Sequence, residues 1–219
     1  MGVAEFNSAY IGTRSDIVSQ VPKGAAVVLD VGCSVGALGA NLMAHHSGTR
    51  VYGIELDAAM AKEAEKVLHN VLNLDMDNTS IVEQYGKEFF DCIIFADVLE
   101  HLKDPWKVIE DASRALKPGG VIITCLPNVR HMYTISSLLF KGVWPYRKRG
   151  IHDVTHLRFF TRKNIVAMFK GKDLEIQSMK SNYRIIESGS SVNRFAKYFA
   201  LPLLKEFLVF QYITVARKT

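Results

Sequence analysis

The sequence predicts a doubly wound α/β fold built on a mostly parallel sheet. Three observations lead there. Strand-length apolar runs alternate with amphipathic runs of helix length. The first apolar run ends on an aspartate and drops into small residues, in "VVLDVGCSVG" at 27–36. The central runs are apolar throughout rather than alternating, as strands covered on both faces must be. Right-handed crossovers then place helices on both sides of the sheet.

Taken in order, "AVVLDVG" reads as a buried strand and "GALGANLMAHH" as a helix. "RVYGIEL" is a second strand, and "AAMAKEAEKVLHN" a charged-faced helix that Asp57 caps. "VLNLD" is a short third strand and "FFDCIIFAD" a fourth. "DPWKVIEDASRAL" is a helix with Asp104 as N-cap and Pro105 in its first turn. "KPGG" ends it, and "VIITCLP" is a fifth strand. A helix is expected over 129–140, then an irregular basic and aromatic excursion, then a helix at "TRKNIVAMF" capped by Thr161. "LEIQSMKSNYRI" and "FLVFQYITVARK" alternate as strands, with "SVNRFAKYFALPLLKEF" between them read as helical up to Pro202. The apolar "FALPLLKEFLVF" is expected to supply core helix and final strand rather than a membrane contact.

A chain of 219 residues, 48% of them hydrophobic, is long enough to bury a core and short enough for one domain. The net charge of +5 is mild. It favours anionic partners only weakly. Three cysteines without a CxxC pair argue against a disulfide scaffold or zinc site and for a reducing compartment. The N-terminus lacks a basic-then-apolar leader, and Phe6 spoils a myristoylation reading of Gly2. Without an apolar stretch of about 18 residues, no stable membrane insertion is expected. The expected location is cytoplasmic.

The opening stretch is a cofactor signal. A parallel strand that ends in a small-residue turn opening a helix points backbone N–H groups at a ligand on the sheet's carboxyl edge. Gly32 and Gly36 let backbone approach where a Cβ would collide. Glu55 closes the second strand, where an acid can grip two ribose hydroxyls.

Five motifs occur in order: "VLDVGCSVG", "VYGIELD", "NLDMD", "FDCIIFADVLEHLKDP" and "LKPGGVIITCLPN". Together they resemble the class I S-adenosylmethionine-dependent methyltransferases, especially the branch of ubiquinone-pathway O-methyltransferases and bacterial sugar and polysaccharide methyltransferases. The resemblance covers 27–128 and extends into 142–161, "GVWPYRKRGIHDVTHLRFFT". It implies a Rossmann-like methyltransferase fold, seven-stranded with an antiparallel last strand, and S-adenosyl-L-methionine as cofactor. It implies that Asp30, Gly32 and Gly36 surround the methionine part, with Ser34 where many members have glycine. Glu55 then holds the ribose, Leu56 lies beside the adenine, and Asp75 with Met76 reads the adenine amino group. Ala96 brings backbone to the cofactor and Asp97 lies at the site mouth. Arg14 is a further candidate, for the cofactor carboxylate. The whole chain, 1–219, is expected to be one methyltransferase domain, with 129–172 an acceptor-binding lid.

A hydroxyl acceptor needs its proton removed as it attacks, work that suits a histidine of near-neutral pKa. His152 and His156, four apart in the basic segment, are the favoured bases. The polysaccharide group usually has an aliphatic residue at position 152, which leaves His156 better placed. His101, in "LEHL", reads either as facing the site or as a hydrogen bond fixing its loop. His152, Asp153 and His156 lack a recognised zinc spacing, and no metal is expected. "WPYRKRG" with Arg158 and Arg162 suits an anionic acceptor, such as a nucleotide-sugar or lipid-linked glycan. Nucleic acid is not expected, for want of an RNA-binding module. Two alternatives remain: a nicotinamide-dependent oxidoreductase, despite its different glycine spacing, and a non-catalytic S-adenosylmethionine-binding partner protein.

Overall fold

A computed structural model describes residues 12–184 and 205–219. The seven strands are β1 Val27–Val31, β2 Arg50–Glu55, β3 Asn70–Asn73, β4 Phe90–Ala96, β5 Leu116–Pro127, β6 Leu174–Tyr183 and β7 Val209–Lys218. They form one sheet in the order β3-β2-β1-β4-β5-β7-β6. β1 to β5 pair in parallel, and β7 runs antiparallel to both β5 and β6. The expected fold, antiparallel last strand included, is the observed one.

Continuous apolar strands arise because both faces are covered. In β1, Val27, Leu29 and Val31 face one core, while Val28 faces the other. Ile93 and Phe95 of β4 join the first core, Cys92 and Ile94 the second. The first face is closed by α4 (Ile81–Tyr85), α5 (Pro105–Ala115) and α7 (Arg162–Phe169). The second is closed by α1 (Ser15–Val18), α2 (Ala37–His45) and α3 (Ala58–Ala64). Cys33, Cys92 and Cys125 are all buried and unbridged.

Local chemistry sets the helix starts. Asp57 accepts from the Ala59 and Met60 amides, Asp104 accepts from Lys107 with Pro105 in the first turn, and Thr161 and Asn164 form a capping box. Three details depart from expectation. α3 stops at Ala64, because the Val67 and Leu68 amides turn back onto the Ala64 carbonyl and His69 N–H already bonds Val51 of the sheet. β5 starts at Leu116 instead of Val121, with a register shift where the "KPGG" residues bulge. α4 was not foreseen; its N-terminus is held by Ser80 and by Asp111 from α5.

After β5 the chain leaves the sheet through α6 (Met132–Ser136) and a π turn, Ser137–Lys141. It returns where Asn128 and Phe160 bridge. The helix expected up to Pro202 lies mostly outside the described residues, as do residues 1–11. No helix among the described residues is long and apolar enough to cross a membrane.

Candidate functional site

The carboxyl ends of β1 to β4 open into a cavity of about 900 Å³. This is where a doubly wound sheet binds ligands. Of the cofactor-binding residues expected from sequence, Asp30, Gly32, Ser34, Glu55, Leu56, Asp75, Met76, Ala96 and Asp97 all line it, together with Arg14. Gly36 does not. It takes a left-handed φ of 80° at the start of α2, with Val67 and Leu68 packed on its α-carbon.

The turn after β1 is built for close approach. Gly32 has φ 72°, and a Cβ there would lie 2.5 Å from Val98 Cγ2. Ser34 and Asp97, both cavity residues, also adopt positive φ, 50° and 60°. Strained backbone of this kind is held only where its surroundings over-determine it. The Glu55 carboxylate ties β2 to this turn: Ser34 N–H donates to Oε2 at 2.8 Å and Asp57 N–H to Oε1 at 2.9 Å. Asp57 is the cap of α3, so Glu55 is left for the cavity rim. Asp75 is oriented by the Asp77 amide and the Asn78 side chain. Arg14 ion-pairs with Asp97, which also accepts from Gln211, and with Asp16.

Charge selects the ligand. Among the described residues, Asp30, Glu55, Asp57, Asp75, Asp77 and Asp97 line the cavity against one arginine, Arg14. A pyrophosphate would face carboxylates here, whereas a cation carrying a sulfonium and an amino group meets opposite charge. Asp30 is fully buried, and one of its oxygens has no hydrogen-bond partner among the described residues. Burial, and then Glu55, pushes its pKa up to about 7, against the pull of Arg14. An orphaned buried acid beside a crowded glycine turn fits the amino and sulfonium end of S-adenosylmethionine. Glu55 and Asp75 fit its diol and adenine end.

The histidines sort differently from expectation. His152 is fully buried outside the cavity lining, with Nε2 2.9 Å from the Thr134 hydroxyl and its ring against Trp144 and Tyr133. The cavity wall carries His101 instead. Its Nδ1 lies 3.0 Å from the Thr155 hydroxyl, which itself donates to Asp153 at 2.7 Å. Burial opposes the charge on Asp153, yet the Thr155 amide and hydroxyl hold its pKa below the usual carboxylate range. An ionised carboxylate only accepts, so the threonine hydroxyl donates to it, the threonine oxygen accepts from His101 Nδ1–H, and Nε2 keeps a lone pair. His156 stands one layer behind, its ring 4.7 Å from that of His101 and its Nδ1–H donating to the Ile151 carbonyl. Burial lowers the pKa of both rings, so the neutral form is favoured.

Glu100 completes this corner. It is buried, with one oxygen unpartnered among the described residues, and burial followed by Asp97 raises its pKa well above the ordinary value. Glu100, His101 and His156 each offer a potential ligand atom within 4.8 Å of the others. This is a different set from the His152, Asp153 and His156 weighed from sequence. The "WPYRKRG" patch does not line the cavity; within the excursion, Thr155 does.

The comparisons agree with this geometry. The family described as Methyltransferase domain matches residues 7–179. A ubiquinone biosynthesis O-methyltransferase of Thiobacillus denitrificans is 29% identical over 166 residues, 74% of this chain and 69% of the relative. The fold resembles an S-adenosylmethionine-dependent methyltransferase, possible histamine N-methyltransferase, from Thermotoga maritima (TM-score 0.67, 17% identity, 96% and 90% of the two chains). It also resembles an S-adenosylmethionine-dependent methyltransferase from Archaeoglobus fulgidus (TM-score 0.62, 19% identity, 90% and 87%). A family match over most of the length, on a sheet rim suited to a cationic nucleoside, settles the assignment: the chain belongs to the class I S-adenosylmethionine-dependent methyltransferases.

Proposed function

We propose that this enzyme methylates a hydroxyl oxygen on a small molecule or sugar. The observation that carries the reading is His101 on the cavity wall, oriented by Thr155 and Asp153 and kept neutral by burial. When bound, S-adenosylmethionine supplies a methyl group on a sulfonium, an electrophile that needs an aligned nucleophile. Asp30, Ser34, Glu55, Leu56, Asp75, Met76, Ala96 and Asp97 are assigned to holding it, Gly32 to leaving room for it, and Gly36 to starting the helix that frames it. His101 Nε2 takes the hydroxyl proton as the oxygen attacks, and Thr155 keeps the ring in that tautomer. Such a base contributes typically a factor of about 10²–10⁴. The O-methyltransferase named among the relatives supports an oxygen acceptor.

His156 is assigned to packing behind His101, and His152 to the floor of the excursion. Residues 129–172 form the acceptor-side lid in this reading, reaching the cavity at Thr155. An anionic acceptor is disfavoured inside so acidic a cavity. The test measures release of S-adenosylhomocysteine with phenol, catechol and sugar hydroxyl acceptors, beside amine and thiol analogues. Turnover confined to the hydroxyl compounds supports the proposal, and turnover confined to the amines or thiols overturns it.

The convergence of Glu100, His101 and His156 favours a second reading, in which a divalent cation there activates the acceptor oxygen. Treatment with a chelator separates the two. Activity that vanishes and returns with added magnesium, manganese or zinc selects the cation, and unchanged activity selects the base.

A further inference from the structure

The excursion is inside out. Along α6 and the π turn, the polar His131, Thr134 and Ser137 are buried, whereas Met132, Ile135 and Leu139 are exposed. The exposed three sit at i, i+3 and i+7, one face of the helical run. The turn then ends in Leu139 and Phe140, 71% and 80% exposed. Large apolar side chains are not placed on a tip by core packing, because the core is satisfied by the threonine and serine beneath. A contiguous exposed apolar patch marks a contact surface.

The surrounding charge identifies what it contacts. Residues 112–152 contain no aspartate or glutamate. Lys141, at the end of the π turn, and Lys148 and Arg149, in the stretch that follows it, are exposed. Arg147 ties this basic stretch to α6, its guanidinium donating to the Tyr133 hydroxyl at 2.6 Å and lying 4.8 Å from that ring. Trp144 and Tyr146, the latter 71% exposed, fall in the sequence between Lys141 and the later two cations. An apolar wedge, amphipathic aromatics and a collar of cations without acids match an anionic bilayer surface: acyl chains below, headgroups above. A second copy of the chain fits poorly, since a two-fold contact would set this cationic collar against itself.

We propose that the α6 to π-turn tip and its basic collar dock this enzyme on anionic lipid surfaces. Leu139 and Phe140 enter the interface while Lys141, Lys148 and Arg149 contact lipid phosphates. The same excursion reaches the cavity through Thr155, so docking brings the site to acceptors held at the membrane.

The test is co-sedimentation of the full chain with vesicles of phosphatidylcholine alone, or with about one-third phosphatidylglycerol, at low and high salt. It needs neither cofactor nor acceptor, so its failure leaves the methyl-transfer reading untouched. The expected result is binding to the anionic vesicles at least about tenfold tighter than to the neutral ones, weakened by salt. Lys141→Glu with Lys148→Glu and Arg149→Glu is expected to weaken it about 100-fold or more, each cation near the surface being worth roughly fivefold. Leu139→Asp with Phe140→Asp is expected to weaken it by at least about tenfold. Should either variant fail to fold, Trp106→Phe leaves Trp144 as the sole tryptophan, and quenching by brominated anionic lipid reads insertion directly. Equal binding to both vesicle types, no binding to either, parent-like binding by both variants, or a dimer that Leu139→Asp with Phe140→Asp dissociates would each overturn the proposal.

Discussion

His101 and Thr155 meet across 54 positions of sequence, the Nδ1 of one 3.0 Å from the hydroxyl of the other. One comes from the turn after β4, the other from the excursion after β5. Asp153 accepts the hydrogen bond of the threonine hydroxyl, so the pair fixes which imidazole nitrogen faces the cavity. His101→Ala is expected to lower kcat about 10²–10⁴-fold with little change in cofactor affinity. Thr155→Val removes only the orientation and is expected to cost about tenfold in kcat, with Thr155→Ser restoring most of it. Steady-state kinetics on the three variants checks this. Equal activity in His101→Ala and the parent would remove the base.

Glu55 bridges two backbone amides and the cavity rim. Glu55→Gln keeps the shape and one acceptor but removes the charge. Charge-assisted bonds are worth about 1.5–3 kcal/mol each, so binding of S-adenosylhomocysteine should weaken about 10–100-fold by isothermal titration. With Glu55 on the diol as proposed, adenine alone should lose much less. Equal losses for both ligands would mean that the rim had collapsed rather than that a ribose contact had gone.

Asp30 is expected to make cofactor binding depend on pH. Burial and Glu55 raise its pKa to about 7, from about 3.9 in an unfolded chain. Between those values the folded protein binds the extra proton, so the stability of the cofactor-free enzyme falls as pH rises from about 4 through about 7. A cationic ligand favours the ionised acid and expels that proton. Affinity should therefore rise as pH increases toward about 7, by up to tenfold per unit, and level off above it. Asp30→Asn should flatten both profiles. Thermal melts, and titrations in buffers of different ionisation enthalpy, measure the two effects separately.

The fold was legible because each strand carries its own signal, and apolar runs such as Val27–Val31 need no distant information. The acidic lining of the cavity was legible for a related reason: Asp30, Glu55, Asp75 and Asp97 each end a strand or follow it closely, so strand order alone gathers them. The base was not. His152 and His156 looked paired at a spacing of four, but the excursion is neither a regular helix nor a strand. Its path turns His152 down onto Thr134 and offers Thr155 to the cavity. The capping of α4 by Asp111 was equally hidden, because the partner comes from the next helix. The basic aromatic segment was read as acceptor-facing from composition, and composition carries no direction.

Gly32 and Val98 offer the sharpest check on the turn after β1. At Gly32 an alanine would both adopt φ 72° and drive its Cβ to 2.5 Å from Val98 Cγ2. The left-handed conformation costs a non-glycine residue about 1–2 kcal/mol, and overpacking typically about 1–3 more. Gly32→Ala is therefore expected to destabilise the enzyme by about 2–5 kcal/mol in urea titration. Val98→Ala removes the colliding methyls at its own cost of a partly buried side chain. Combined with Gly32→Ala, it should recover the steric part and leave the backbone part, so the double variant is less destabilised than the sum of the singles by about 1 kcal/mol or more. Strict additivity would show that the two residues do not meet, and that the turn opens away from the β4 end instead of pressing against it.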